Sequence, residues 1–276
     1  RSTLFPYTTL FRSQVFGYDS FRPGQEHLIN AILAGQDVLG IMPTGAGKSI
    51  VYQVPALLFP GITLVISPLI SLMKDQVEGL NQAGVHAAYL NSSLTQNQYF
   101  KALDFARAGR YPIIYVAPER LNTSRFLDFA YYAAISMVTV DEAHCISQWG
   151  QDFRPSYLNI VEFVNQLAVR PVVSAFTATA TEQVRDDILC VLGLRSPKVL
   201  VTGFDRANLY FEVRTGNKKA ELLDYVKEHR TESGIVYCAT RKNVEEVCTM
   251  LQMEDIPATR YHAGLSAEER KTNQDL

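Results

Sequence analysis

The sequence predicts an α/β fold: a parallel sheet flanked by helices, followed by a second and shorter α/β domain. Three observations lead there. Short β-branched runs alternate with amphipathic helical segments from Gln14 onward, a Gly-rich loop joins one strand to one helix at 42–49, and the alternation loosens over 195–208 before it restarts. A chain of 276 residues with 47% apolar content can bury one large core or two smaller ones.

The first residue is Arg, and the stretch Pro6 to Ser13, PYTTLFRS, reads like the translation of a sequencing adapter. Residues 1–13 are therefore expected to be a non-native segment and are set aside from fold reasoning. Strands are expected at Asp37–Met42, Ile62–Ser67, Ile113–Ala117, Met137–Val140 and Val172–Thr177, with a helical pattern in each connection. Strands joined through helices pair in parallel. Ser67 followed by Pro68 reads as an N-cap with Pro at the first helical position. After the loosened stretch, Tyr210–Val213, Gly234–Cys238 and Thr259–His262 are strand candidates. Val244, Val247, Cys248 and Leu251 form one apolar helical face, and Ser266 with Glu269 forms a capping box. The boundary falls near Gly203, which gives a first domain over 14–203 and a partial second one over 204–276.

Composition sets further bounds. The net charge of −2 supplies no overall electrostatic attraction for nucleic acid, so any such site must be local. No apolar run approaches the roughly 20 residues that span a bilayer, and the N-terminus lacks a secretory pattern. No membrane association is expected, and the expected location is cytoplasmic. Cys145, Cys190, Cys238 and Cys248 are scattered without a C-x-x-C pair. They are expected to be reduced, with no structural zinc.

The loop Met42-Pro-Thr-Gly-Ala-Gly-Lys-Ser49 sits between an apolar strand and the helical stretch Ile50–Leu58. Its Thr44, Gly45, Ala46 and Gly47 fall in the turn, where backbone amides converge on phosphate. Lys48 would reach the β- and γ-phosphates, and the Ser49 hydroxyl would ligate Mg²⁺. The strict P-loop pattern asks for Gly at position 42, where this chain has Met, so the match is to G-x-G-K-S. A second apolar strand ends in Asp141 and Glu142, placed to hold the Mg²⁺ shell and to orient and deprotonate the attacking water, respectively.

Beyond these acids the sequence continues as AHCISQWGQDFRP (143–155), which resembles the aromatic-rich loop of RecQ-type DNA helicases. Further blocks occur in that family's order: FGYDSFRPGQ (16–25), SPLISLMKDQV (67–77), APERL (117–121), SAFTATAT (174–181), SGIVYCATR (233–241) and YHAGL (261–265). The resemblance implies two RecA-like domains, the second only in part, that use ATP and Mg²⁺ to unwind DNA with 3′ to 5′ polarity in repair and recombination. It implies that Tyr18 stacks on adenine while Arg22 and Gln25 address the base edge. His144 would link the ATP site to DNA. Trp149, Phe153 and Arg154 would sense the single strand, with Ser67, Lys74 and Gln76 bordering the backbone track. Thr177 and Thr179 resemble the block that couples hydrolysis to domain movement.

The implied partners are single-stranded DNA and duplex junctions. In the family an arginine finger follows YHAGL. This sequence reaches Leu276 before such a block, so weak turnover by this chain is expected, and residues past Gly203 are expected to be unstable in isolation. A DEAH-type RNA helicase and a nucleotide- and DNA-binding module without motor activity are the competing readings, with a transport or metabolic P-loop ATPase behind them.

Overall fold

The computed structural model describes residues 5–150, 152–203 and 209–274. The chain divides into two compact units, 1–205 and 206–276. Residues 1–4 of the set-aside segment and the stretch 204–208 around the expected boundary lie outside the described residues.

The first unit opens with α1 (Phe5–Phe16) and α2 (Gln25–Leu33), then β1 (Val38–Ile41), α3 (Lys48–Leu58), β2 (Ile62–Ile66), α4 (Ile70–Gln82), β3 (Ala87–Leu90) and α5 (Gln96–Arg107). It continues with β4 (Ile113–Val116), α6 (Ser124–Tyr132), β5 (Ile135–Val140), α7 (Asn159–Gln166), β6 (Val172–Thr177), α8 (Glu182–Val191) and β7 (Lys198–Val201). The strands form one sheet in the order β3-β4-β2-β5-β6-β1-β7, every pairing parallel. All five strands expected for this unit are present, with β5 starting two residues earlier than expected.

Side-chain alternation along the strands builds two cores, one on each face of the sheet. Leu39, Ile41, Leu64, Ile66, Ile114, Val116, Val138 and Val140 pack with residues of α5 to α8 such as Phe126, Phe163 and Ile188. Val38, Val65, Ile113, Tyr115 and Met137 pack instead with Leu28, Val51, Val54 and Met73 from α2, α3 and α4. The result is the helix–sheet–helix sandwich expected from the alternation.

Three features differ from expectation. The strands that composition did not signal, β3 and β7, are the two edges of the sheet. Edge strands are covered incompletely, and β7 leaves Val199 and Val201 exposed, so a clear hydrophobic pattern is not required of them. Helix α4 starts at Ile70 with Leu69 at its N-cap, not at Ser67, because Ser67 continues the β2–β4 pairing by donating its amide to the Val116 carbonyl. The set-aside segment, left out of fold reasoning, carries a helix: α1 runs through it and contacts α3, and just beyond it Val15 and Phe16 pack on the second core.

The second unit contains α9 (Lys218–Glu228), α10 (Arg241–Met253) and α11 (Ala267–Gln274). Caps define its helix starts. Asn217 accepts from the amides of Lys219 and Ala220, Thr240 accepts from Asn243, and the expected Ser266–Glu269 capping box is present in both directions. Cys248 and Leu251 of the expected apolar face are buried, with Ile256 and Leu265. The three strand candidates here are not strands: 210–213, 234–238 and 259–262 run without ladder partners. A strand exists only through a neighbour that satisfies its amides and carbonyls, and Tyr210, Phe211, Ile235 and Tyr237 stand exposed on these segments.

Candidate nucleotide and nucleic-acid site

The expected site residues of the first unit gather where β1, β2, β5 and β6 end, which is where ligands bind in open parallel sheets. The loop 42–47 follows β1, and α3 begins at Lys48. Gly45 and Gly47 hold φ of 82° and 77°, in the left-handed region that glycine enters without penalty. Gly47 has a second constraint, since a Cβ there would stand 2.5 Å from Gln25 Nε2.

Gln25 is buried and is committed to this loop. Its Nε2 donates to the carbonyls of Ala46 at 2.9 Å and Gly47 at 3.0 Å, and its Oε1 accepts from the Arg22 amide at 2.9 Å. The Arg22 guanidinium donates to the Gly45 carbonyl. Residues 22 and 25 thus clamp three successive loop carbonyls. Only one lone pair of the Gln25 amide is left for a base, which is less than the expected role asks of it. The first amides of α3 have no intrahelical partner, and these make the end of a helix a ready anion site.

A cavity of about 370 Å³ lies over this loop, lined by residues that include Tyr18, Phe21, Arg22, Gln25, Thr44, Lys48, Ser49, Asp141 and Glu142. A larger cavity of about 700 Å³ opens near Ile62, Pro112 and Ala134, where β2, β4 and β5 start, at the opposite ends of the strands from these groups. Chemistry rather than size selects the first. Tyr18 is 53% exposed, with its ring available to stack. Arg12 also lines this cavity, donating from Nε to the Tyr18 carbonyl at 2.9 Å and lying over the Phe21 ring. Setting aside residues 1–13 hid it from sequence reasoning.

Asp141 follows the last residue of β5 and is buried. Burial first, and then the Glu142 carboxylate, push its carboxyl up to about 6, against the pull of the Glu142 amide and Lys48. A buried carboxylate with raised proton affinity is short of positive charge. With the Ser49 hydroxyl on the same cavity it offers the hard oxygen donors that suit Mg²⁺, so the residues fit that ion. When bound, the cation would neutralise phosphate charge. Lys48 donates to the Met42 carbonyl at 3.3 Å, folded over the loop it would serve.

Glu142 has left-handed backbone, with φ 48° and ψ 47°, which is uncommon for a residue with a side chain. Its Oε2 lies 3.4 Å from His144 Nδ1. The same Nδ1 is 2.8 Å from Thr177 Oγ1, which itself donates to the Thr179 carbonyl at 3.2 Å. A hydroxyl has one proton to give. Thr177 therefore accepts from His144, and the ring carries its proton on Nδ1, held between β5 and β6.

From His144 the chain turns into the aromatic loop. Trp149 is 70% exposed, with its ring open to solvent. Arg154 donates to Asp152 Oδ2 at 2.9 and 3.1 Å and to the Pro68 carbonyl at 3.3 Å, which ties this loop to the start of α4. The bond to Asp152 holds the guanidinium still more firmly protonated. Phe153 is half-buried. Of the expected track residues, Lys74 is exposed beside Glu78, and Gln76 accepts from Gln53 at 3.0 Å. Ser67 is buried, and its hydroxyl has no partner. Gln151 lies outside the described residues. Among the described residues no group of three or more His, Cys, Asp or Glu could hold a metal ion, and no helix is long and apolar enough to cross a membrane.

The profile of the DEAD/DEAH box helicase family matches residues 22–187, well over half of the chain. The chain belongs to the DEAD/DEAH box helicase family. Among curated proteins, this helicase-family chain is 47% identical over 262 residues to the ATP-dependent DNA helicase RecQ of Bacillus subtilis (strain 168), covering 94% of this chain and 44% of that protein. It is 43% identical over 264 residues to the ATP-dependent DNA helicase RecQ of Haemophilus influenzae, covering 95% and 42%. The chain thus spans less than half the length of these relatives.

Solved structures give the same fold for this helicase-family chain. The DUF1998 helicase MrfA bound to DNA superposes with a TM-score of 0.74 at 16% identity, over 96% of this chain and 42% of that one. The helicase Lhr of Mycobacterium smegmatis, bound to single-stranded DNA and AMP-PNP, superposes with a TM-score of 0.68 at 19% identity, over 99% and 40%. The fold is α/β and RecA-like, and the family uses ATP with Mg²⁺.

Proposed function

We propose that this chain is the motor region of an ATP-dependent DNA helicase of RecQ type. The observation that carries this reading is a continuous arrangement. The nucleotide cavity ends at Asp141 and Glu142, and His144, two residues on, bonds to the β6 end and leads into a loop that presents Trp149 to solvent.

In this reading the α3 amides and Lys48 bind the ATP phosphates, Ser49 and Asp141 hold Mg²⁺, and Glu142 orients and deprotonates the attacking water. Arg22 and Gln25 hold the loop in shape, and Tyr18 stacks on the base. Trp149 and Phe153 stack on single-stranded bases, while Arg154 exchanges Asp152 for a backbone phosphate. Lys74 adds charge beside that track. Unwinding in the 3′ to 5′ direction, action at duplex junctions, roles in repair and recombination, and a cytoplasmic location belong to the whole protein in this reading.

The test is a titration of the chain with labelled single-stranded DNA and RNA of matched sequence, with Mg²⁺ and a non-hydrolysable ATP analogue. DNA is expected to bind more tightly than RNA. Trp149→Ala is expected to weaken DNA binding about tenfold, the scale of one base–aromatic stack. Lys48→Ala is expected to lose the nucleotide. Equal or tighter binding of RNA would favour an RNA helicase.

A further inference from the structure

The exposed ring of Trp149 raises a physical question: a stacking platform loses affinity if its loop must be ordered at the moment of binding. The loop is held by a connection that reaches beyond the motifs to α8. The Trp149 amide donates to Ser147 Oγ at 3.1 Å, and the Ser147 hydroxyl, buried, donates to Asp187 Oδ2 at 2.6 Å. The second bond has the length of a charge-assisted O–H···O⁻ interaction.

Backbone closure adds to this. Ser147 donates its amide to the His144 carbonyl at 3.2 Å, and Gly150 donates to the Ser147 carbonyl at 3.0 Å. A Cβ on Gly150 would stand 2.5 Å from the His144 carbonyl oxygen, so the turn closes this tightly only with glycine there. Asp187 lies on α8, whose Val184 and Ile188 share a buried cluster with Cys145 and Ile146. The same β6–α8 segment supplies Thr177, which holds His144.

We infer that Asp187 is a positioning residue for nucleic-acid binding: through Ser147 it fixes the backbone of Trp149 and so pre-orders the stacking platform. The inference rests on the reading that Trp149 contacts single-stranded DNA. It assigns the β6–α8 segment two grips on one stretch of chain, Thr177 of β6 on the ATP-site side and Asp187 of α8 on the DNA side.

Trp149 is the one tryptophan in the sequence, so its fluorescence reports this loop alone. Trp149 anisotropy and acrylamide quenching in the whole chain without DNA, together with affinity for labelled oligothymidine, form the test. Asp187→Ala is expected to lower the anisotropy, increase quenching and weaken oligothymidine binding about tenfold, the scale of a hydrogen bond to a charged group. Asp187→Asn, which keeps an acceptor oxygen, is expected to restore most of both. Ser147→Ala should match Asp187→Ala, and the double variant should be no worse than either, as for two members of one connection. Thermal melts identify any variant that fails to fold, in which case Asp187→Asn and Ser147→Ala decide. Unchanged Trp149 fluorescence in folded Asp187→Ala and Ser147→Ala overturns the positioning role. If Trp149→Ala binds oligothymidine like the parent, the DNA-contact reading fails instead, and the fluorescence response still reports the positioning.

Discussion

Asp141 shows at the scale of one residue how the proposed Mg²⁺ site works against the stability of its own fold. Its carboxyl is pushed up to about 6 by burial and by Glu142, so folding takes up a proton between pH 4 and 6. A carboxyl raised in this way contributes stability that is complete below its unfolded pKa and is lost as pH rises through the folded one. At pH 8, without nucleotide or Mg²⁺, Asp141→Asn is therefore expected to be more stable than the parent by about 3 kcal/mol, with the margin vanishing near pH 4. Urea unfolding at the two pH values checks this, and a loss of stability at pH 8 would contradict it. The same substitution is expected to remove ATP turnover. Gln25 shows the converse, since its amide spends its donors on loop carbonyls and so shapes the site without reaching far into it.

At the scale of elements, the ends of the strands depend on a residue outside the motifs. Asp37, buried just before β1, accepts from Arg170 at 2.6 and 3.1 Å, from the Val173 amide at 2.9 Å and from the Arg195 amide at 2.7 Å. It thereby joins the starts of β1 and β6 to the turn before β7. Asp37→Ala leaves the half-buried Arg170 without its carboxylate partner and is expected to cost about 3–5 kcal/mol, measured by chemical unfolding. A loss below about 1 kcal/mol would show that the sheet does not rely on this connection. What the sequence revealed follows from the same physics. The central strands β1, β2, β4, β5 and β6 were legible because strands covered on both faces must be apolar along their length. The edges β3 and β7 were not, because half-covered strands need no such pattern. The loop 42–49 and the acids at 141–142 were legible because phosphate and Mg²⁺ chemistry demands those residue types at fixed spacing. Asp37, Arg12, Ser147 and Asp187 were not, because a polar residue that bonds across the fold carries no local periodicity.

The whole molecule is two units of different character. The first buries two cores about a seven-stranded sheet. The second is built from three capped helices among its described residues and leaves Tyr210, Phe211, Ile235 and Tyr237 exposed. The apolar runs at 210–213 and 234–238 looked like strands because their composition suits a sheet, and composition cannot supply the neighbouring strand. The proposed activity needs the ATP cavity and the Trp149 loop to influence each other, and the route on the first unit is short: Glu142, His144, Thr177 and the turn to Trp149. A coupling carried by this route would be reciprocal, changing both affinities by the same factor.

The most direct measurement is the affinity of the chain for labelled single-stranded DNA with and without a non-hydrolysable ATP analogue and Mg²⁺, in the parent and in His144→Ala. The parent is predicted to shift its DNA affinity about fivefold or more when nucleotide binds, whereas His144→Ala is predicted to bind both ligands and lose the shift. A parent whose DNA affinity ignores the nucleotide would contradict the coupling and favour a binding module without motor activity.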